Sequence, residues 1–468
     1  MSVDAGSGGA RRRFAPHDLA LVAAGCALLG LYFVARRFIT PDAAGIGTFV
    51  KLALVQCAVY AAAALVAWRA RETRATVLVV VAFAALFRLA ILFGPPRLSD
   101  DVYRYVWDGR VQAAGINPYL YVPADPALAP LRDAAIYGRV NRRDFAPTIY
   151  PPLAQMIFFA ATRAGESVVW MKAVMVAFEA VALWSLARLL ASFNLPRRRI
   201  LLAAWHPLLV WEIAGGGHLD AAMICFVCLA LLARRGGRDA LAGCLLACAA
   251  LTKLFPVVLA PALYRRRGWK MPAAFAATFV AAYLPYASVG VRRLAGYLPG
   301  YAAEEGLTSG ARFYALAVAR ELTGREVPTA AFVLAALAVL AALALRGRGG
   351  SDQSLAARAL VLATAFTVLL SPHYSWYFVW LVPLLSLAPA AFVVPAAYLT
   401  SAGLVLYLTW LGDQPDRMFM LNSIIYLPFA ALCAAAWLAG RAKTGAEKPG
   451  RPVGAFVDHT GEGGGRLV

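Results

Sequence analysis

The stretch TVLVVVAFAALFRLAILFGPPRLSDDVYRYVWDGRVQAAGINPY, residues 76–119, changes character at its middle. Its first half is an apolar run long enough to cross a bilayer as a helix. Its second half holds the densest cluster of acids, bases and aromatics in the chain. Runs of the first kind recur throughout: of 468 residues, 61% are hydrophobic and only 15% are charged. That pattern defines an all-α, polytopic integral membrane protein. The polar half then marks where the chain leaves lipid and gathers its chemistry.

Lys and Arg number 45 against 25 acidic residues, a net charge of +20. In a soluble chain this would point to nucleic acid. Here the basic residues sit in short turns between apolar runs, where topology signals lie, and no basic face with stacking aromatics occurs elsewhere, so nucleic acid is excluded as a partner. With Arg11, Arg12, Arg13, Arg69, Arg71 and Arg74 on the cytoplasmic side, the acid-aromatic motif emerges on the outer face. Arg36 and Arg37, at the outer end of the first run, are the contrary pair.

Apolar runs at 17–38, 48–68, 76–95, 168–192, 200–214, 218–234, 271–289, 327–345, 354–371, 376–390, 392–411 and 420–440 are expected as crossings. A tight hairpin over 239–264, turning at Lys253, joins them, for about 12–14 transmembrane helices with both termini cytoplasmic. The membrane domain covers 17–440, with a large outer loop at 96–167 and a second at 290–326. Residues 1–16 and 441–468, Gly-rich and charged, are expected as disordered cytoplasmic tails. The short apolar piece 151–163 is expected as a helix at the outer interface. All seven cysteines fall inside apolar runs, so no disulfide framework is implied, and the Cys225–Cys228 pair reads as core packing.

Within the motif, Ser99 is a good N-cap, Asp100 and Asp101 occupy a first helical turn, and Gly115, Asn117 and Pro118 end a short helix over 100–114. As dipole partners alone the two acids contribute under about 1 kcal/mol each. On the same helix Asp101, Arg104 and Asp108 share one face, and Tyr103, Trp107 and Arg110 the next. Carboxylates at a membrane surface beside aromatics suit a general base for a hydroxyl acceptor, with rings to stack on sugar faces. A single base suffices if the leaving group is a phosphate, which departs without a proton. No phosphate-cradling Gly-rich loop follows a strand anywhere, so chemistry fed by cytoplasmic nucleotides is not supported.

A phosphate needs cations near the outer surface. Lys253, in the apolar run LACAALTKLFPVV, is the first candidate, because a lysine there must snorkel or bind something. Arg104, Arg312 and His373 are further phosphate candidates, while Tyr103, Trp107, Asp108, Tyr150, Glu212 and His218 are candidates for the substrate side. Glu212 stands within reach of His218 or Asp220. Pro151 and Pro152 after Tyr150 fit either a rigid turn shaping a lipid groove or an ordinary helix start. Asp100, Asp101 and Asp108 are the candidate acids for a divalent metal such as Mg or Mn, and with one clustered loop and no second acidic partner no metal or cofactor is assigned.

SDDVYRYVWDGRVQAAGINPY (99–119), TIYPPLAQ (148–155), HPLLVWEIAGGGHLDA (206–221), LTKLFPVVLAP (251–261) and SPHYSWYFVWLVPLL (371–385) together resemble bacterial GT-C glycosyltransferases. The nearest are the polyprenol-phosphate-mannose-dependent mannosyltransferases and glycosyltransferase family 87. The resemblance spans residues 76–440, and the first loop is its most specific part. It implies a GT-C fold and an inverting enzyme of the bacterial inner membrane. Such an enzyme moves a sugar, here mannose, from a polyprenyl phosphate carrier to a lipid or glycan hydroxyl on the extracytoplasmic face. It also implies a catalytic aspartate in the first large outer loop, which maps onto Asp100 or Asp101. Two other classes remain open on the sequence: a transporter or flippase of lipid-linked sugars, and a glycan ligase or polymerase using diphosphate-linked donors.

Overall fold

The computed structural model is all-α and describes residues 15–40, 42–265, 267–346, 353–371, 374–412 and 415–446, with no strand among the described residues. Its first three long helices, α1 (Pro16–Ala35), α2 (Ala43–Arg69) and α3 (Arg74–Leu92), zigzag through the apolar layer. Their starts follow from local chemistry: Pro16 stands in the first turn of α1, while the Asp42 and Thr73 side chains accept from the amides of Gly45 and Thr76 to cap α2 and α3. Because α1 and α3 run the same way, their C-terminal ends lie together, and Arg36 of the first reaches the carbonyl of Ala90 in the third.

Among the described residues, eight helices are long and apolar enough to span a membrane: Pro16–Phe38, Ala43–Arg69, Arg74–Leu92, Val168–Ser192, Lys270–Val289, Thr329–Arg346, Ala390–Leu411 and Asp416–Arg441. The protein is therefore a polytopic membrane protein, as its composition requires. The other expected crossings are shorter or interrupted. Residues 200–214 break into Leu201–Ala204, Pro207–Val210 and a π-helical turn, Trp211–Gly216. The cause is Pro207, which holds His206 extended, followed by the triple glycine at 215–217. The expected 239–264 hairpin is a helix, Asp239–Ala250, that turns at 251–254 and returns as short pieces containing Pro256 and Pro261. The last helix, Pro415–Ala446, continues past residue 440. The chain on either side, 1–14 and 447–468, holds most of both expected tails and lies outside the described residues.

Between α3 and α6 (Val168–Ser192), the loop expected at 96–167 folds as a helical layer on the membrane bundle. It contains α4 (Asp101–Ala113), short 3-10 turns at Pro126–Leu131 and Tyr137–Arg139, and α5 (Pro152–Ala164). Rather than resting on lipid alone, α5 packs along α4, and the crossing is close. A Cβ at Gly109 would lie 2.5 Å from the carbonyl oxygen of Phe158. Lys172 of α6, fully buried, donates to the carbonyls of Gly94 (2.7 Å) and Ile91 (3.3 Å). It thereby adds a side-chain donor to the carbonyls at the end of α3, where the Gly94 amide already reaches Ile91, and fixes where the chain sets out toward α4.

Candidate functional site

Two cavities meet at the N-terminus of α4. The larger, about 700 Å³, is the more polar of the two and is lined by Asp100, Asp101, Arg139, Asn141, Arg142 and Glu305 among others. The smaller, about 220 Å³, has largely apolar walls including Leu254, Phe255, Phe366 and Leu370, with Lys253 in its lining. Asp101 is the one acid in both linings among the described residues, and Ile149, Tyr301 and Trp376 accompany it there.

Local structure sets each side chain. Asp100 takes the N-cap position, one residue later than expected, and the Ser99 hydroxyl accepts from the Asp101 amide at 3.2 Å. Asp101 thus begins the helix proper, half-buried where the two cavities meet, and Asn141 Nδ2 donates to its Oδ1 at 2.8 Å. No hydrogen bond to Oδ2 occurs among the described residues. Burial raises the carboxyl of Asp100 above its ordinary range, with the Arg139 guanidinium opposing and the Asp101 charge adding. Glu305 is raised in the same direction by burial, against the Tyr374 hydrogen bond and the Arg312 and Arg142 charges.

On the apolar side, Lys253 Nζ meets Asp220 Oδ2 at 2.6 Å and stands 5.3 Å over the ring of Tyr377, whose hydroxyl lies 2.9 Å from that of Tyr301. The lysine therefore does not merely snorkel: a buried carboxylate holds it. Asp220 is in place because the chain turns back at Gly217. This residue is left-handed (φ +75°), and a Cβ on it would press on Lys172 (2.8 Å) and Val102 (3.1 Å). The same turn sets His218 against Trp376 in a stack, centroids 5.0 Å apart, with Glu212 Oε2 3.3 Å and Asp220 Oδ2 3.9 Å from its ring nitrogens. Tyr407 in turn donates to Glu212. Glu212 and His218 thus form a buried support behind Trp376 rather than cavity wall.

The expected residues accordingly divide. Asp100, Asp101, Tyr150 and Lys253 line the cavities, and Glu212 and His218 stand behind them. Arg104, Trp107 and Asp108, expected at the donor and sugar surfaces, line neither cavity. Arg104 is buried in an ion pair with Asp108 (2.8 Å), Gln155 also donates to Asp108, and Trp107 packs on Tyr137. The correction has a simple cause: protein covers α4 on nearly every side, so spacing cannot tell which turn is open. Asp108 is consequently not joined to Asp100 and Asp101, and no three potential metal ligands converge among the described residues. Tyr103 is also buried, its hydroxyl accepting from Arg139 at 2.8 Å. Arg312 sits 5.3 Å over Tyr374, outside both linings, and His373 lies outside the described residues.

Sequence reading missed Arg139, Asn141, Arg142, Tyr301, Glu305, Trp376 and Tyr377 as members of the site. A signal existed in GRVNRR at 138–143, a basic run inside a loop expected outside, where positive charge is uncommon without a task.

The fold and site define a polytopic membrane protein with a carboxylate, Asp101, where a polar and an apolar cavity join. Residues 19–265, more than half of the chain, match the family described as alpha-(1->6)-mannopyranosyltransferase, N-terminal domain, and the chain belongs to this MptA_B family. It is thus a membrane glycosyltransferase of a mannosyltransferase family. Asp100, Asp101, Glu212, His218, Asp220 and Lys253 fall inside the matched region, whereas Tyr301, Glu305, Trp376 and Tyr377 fall beyond it. No curated protein gives a significant match.

Proposed function

We propose that the protein transfers mannose, with inversion, from a polyprenyl phosphate carrier to an acceptor hydroxyl, on the extracytoplasmic face of the bacterial inner membrane, with Asp101 as general base. The observation that carries this reading is the position of Asp101 as the one acid, among the described residues, shared by the polar and the apolar cavity. Asn141 occupies Oδ1 and orients the carboxylate, leaving Oδ2 to take the acceptor proton. As that proton moves, the acceptor oxygen bonds to the anomeric carbon. The bond from that carbon to the phosphate oxygen breaks, and the phosphate leaves with the electron pair. Lys253, held by Asp220 and facing Tyr377, stabilises the charge that grows on the departing phosphate. The prenyl chain lies along Leu254, Phe255, Phe366 and Leu370, while the acceptor enters the polar cavity between Arg139, Arg142 and Glu305.

Asp100 is the weaker base on this reading because it lines the polar cavity alone. Purified wild type, Asp101→Asn and Asp100→Asn are to be compared with polyprenyl-phosphate-mannose and an acceptor glycan, with products counted by mass spectrometry. Asp101→Asn is expected to lose about 10²–10⁴-fold in rate, the usual contribution of a general base, and Asp100→Asn far less. Undiminished transfer by Asp101→Asn removes the base assignment. Transfer from a diphosphate-linked donor alone removes the carrier assignment.

A further inference from the structure

The contrary pair at the end of the first span has a place in the structure. Arg36, Arg37 and Arg97 surround a separate cavity of about 240 Å³ whose apolar wall includes Ile91, Leu98 and Trp211. Arg36 is tied down by the Ala90 carbonyl (2.9 Å) and lies 4.7 Å over the Phe33 ring, and Arg97 donates to the Ile39 carbonyl (3.3 Å). None of the three guanidiniums meets a carboxylate among the described residues, and Arg37 makes no hydrogen bond there. Around them Phe33, Phe38 and Phe93 are exposed, at 40%, 39% and 70%, as side chains at the edge of a lipid layer are. Three unneutralised cations gathered at one end of the bundle repel one another unless an anion joins them.

We propose that this cavity binds the phosphate headgroup of an anionic phospholipid of the bilayer, with an acyl chain along Ile91, Leu98 and Trp211. Charge complementarity selects the anion, and the apolar wall with its exposed aromatic rim selects a lipid over a free phosphate. The site is distinct from the Lys253 side of the catalytic cavities. It adjoins the polar cavity through Ile39, Arg97 and Leu98, which line both. A bound phospholipid would therefore brace the segment that leads from Arg97 to Ser99, Asp100 and Asp101.

The test uses the full chain in phosphatidylcholine nanodiscs titrated with phosphatidylglycerol, read by native mass spectrometry and by thermal unfolding. Wild type is expected to retain phosphatidylglycerol and to unfold at a higher temperature as its fraction rises. Retention should weaken about fivefold for each arginine removed, in Arg37→Gln and again in Arg37→Gln/Arg97→Gln, and remain unchanged in the control Arg325→Gln. Arg37→Gln removes no hydrogen bond or ion pair among the described residues, so unchanged retention in that variant overturns the proposal. Displacement of the bound phosphatidylglycerol by equimolar inorganic phosphate, or by polyprenyl phosphate, also overturns it, by assigning the cavity to a free anion or to the carrier.

Discussion

Asp100 and Asp101 are neighbours in sequence with opposite circumstances. Asp101 opens onto two cavities and is oriented by Asn141, whereas Asp100 lines one cavity and is held above its ordinary carboxyl range, chiefly by burial. A group whose folded-state pKa is raised contributes stability below its unfolded value, 3.8 here, and that contribution is lost as pH rises through the folded value. Asp100→Asn, which keeps the shape and removes the charge, is therefore expected to unfold at a higher temperature than wild type at pH 7. The difference should shrink as pH falls through the raised folded-state value toward 3.8, because the wild-type carboxyl takes up its proton over that interval. Tryptophan-fluorescence melts across that pH range check it, and a variant no more stable than wild type at pH 7 contradicts it. That these two residues and Lys253 deserved notice was legible from their types and surroundings. Their different surroundings were not, because these depend on Asn141, Asp220 and Tyr377, which come from other parts of the chain.

At the scale of elements, α4 shows how far periodicity reaches. Its extent, Asp101–Ala113, agrees with an expectation of 100–114 drawn from Ser99 and from the turn at Gly115, which is left-handed at φ +77°. Its faces could not be assigned in the same way, because Val102 to Gly109 are all buried and the helix has no single apolar stripe. What covers it is α5, admitted by the missing side chain at Gly109. Gly109→Ala places a methyl 2.5 Å from the Phe158 oxygen, and this backbone atom cannot swing away as a side chain would. The substitution is expected to cost about 1–3 kcal/mol by overpacking. It should also lower transferase activity through displacement of the Asp101 end of the helix. Gly138→Ala, where an added Cβ meets nothing, is the control. Equal melting temperatures for the two variants would show that the α4–α5 crossing has slack.

Across the whole molecule, interrupted helices separate the observed bundle from a count of apolar runs. The break after Ala204 frees a carbonyl, and Arg88 of α3 donates to it while its guanidinium also pairs with Glu179 of α6 (Nε to Oε2, 3.1 Å). Both side chains are buried, so one cross-link joins two spans and a broken third. Arg88→Met leaves the Glu179 charge and the Ala204 carbonyl without it, and is expected to destabilise by about 3–5 kcal/mol, whereas Arg88→Met/Glu179→Leu should recover much of that. Melting of the two variants in detergent checks this, and a double variant no more stable than the single one counts against the pair as the cause.

By itself the sequence determined the class and the layout: apolar runs of bilayer length have no other stable fate in lipid than helices, and a charged aromatic cluster between them must leave the membrane. Tertiary structure decided which runs remain whole, which face of α4 is open, and which carboxylate meets both cavities. Those outcomes depend on side chains more than a hundred residues apart, such as Asp101 with Tyr301 and Trp376, or Arg88 with the Ala204 carbonyl. Local spacing carries no record of such distant neighbours, because packing selects them only once the helices have assembled.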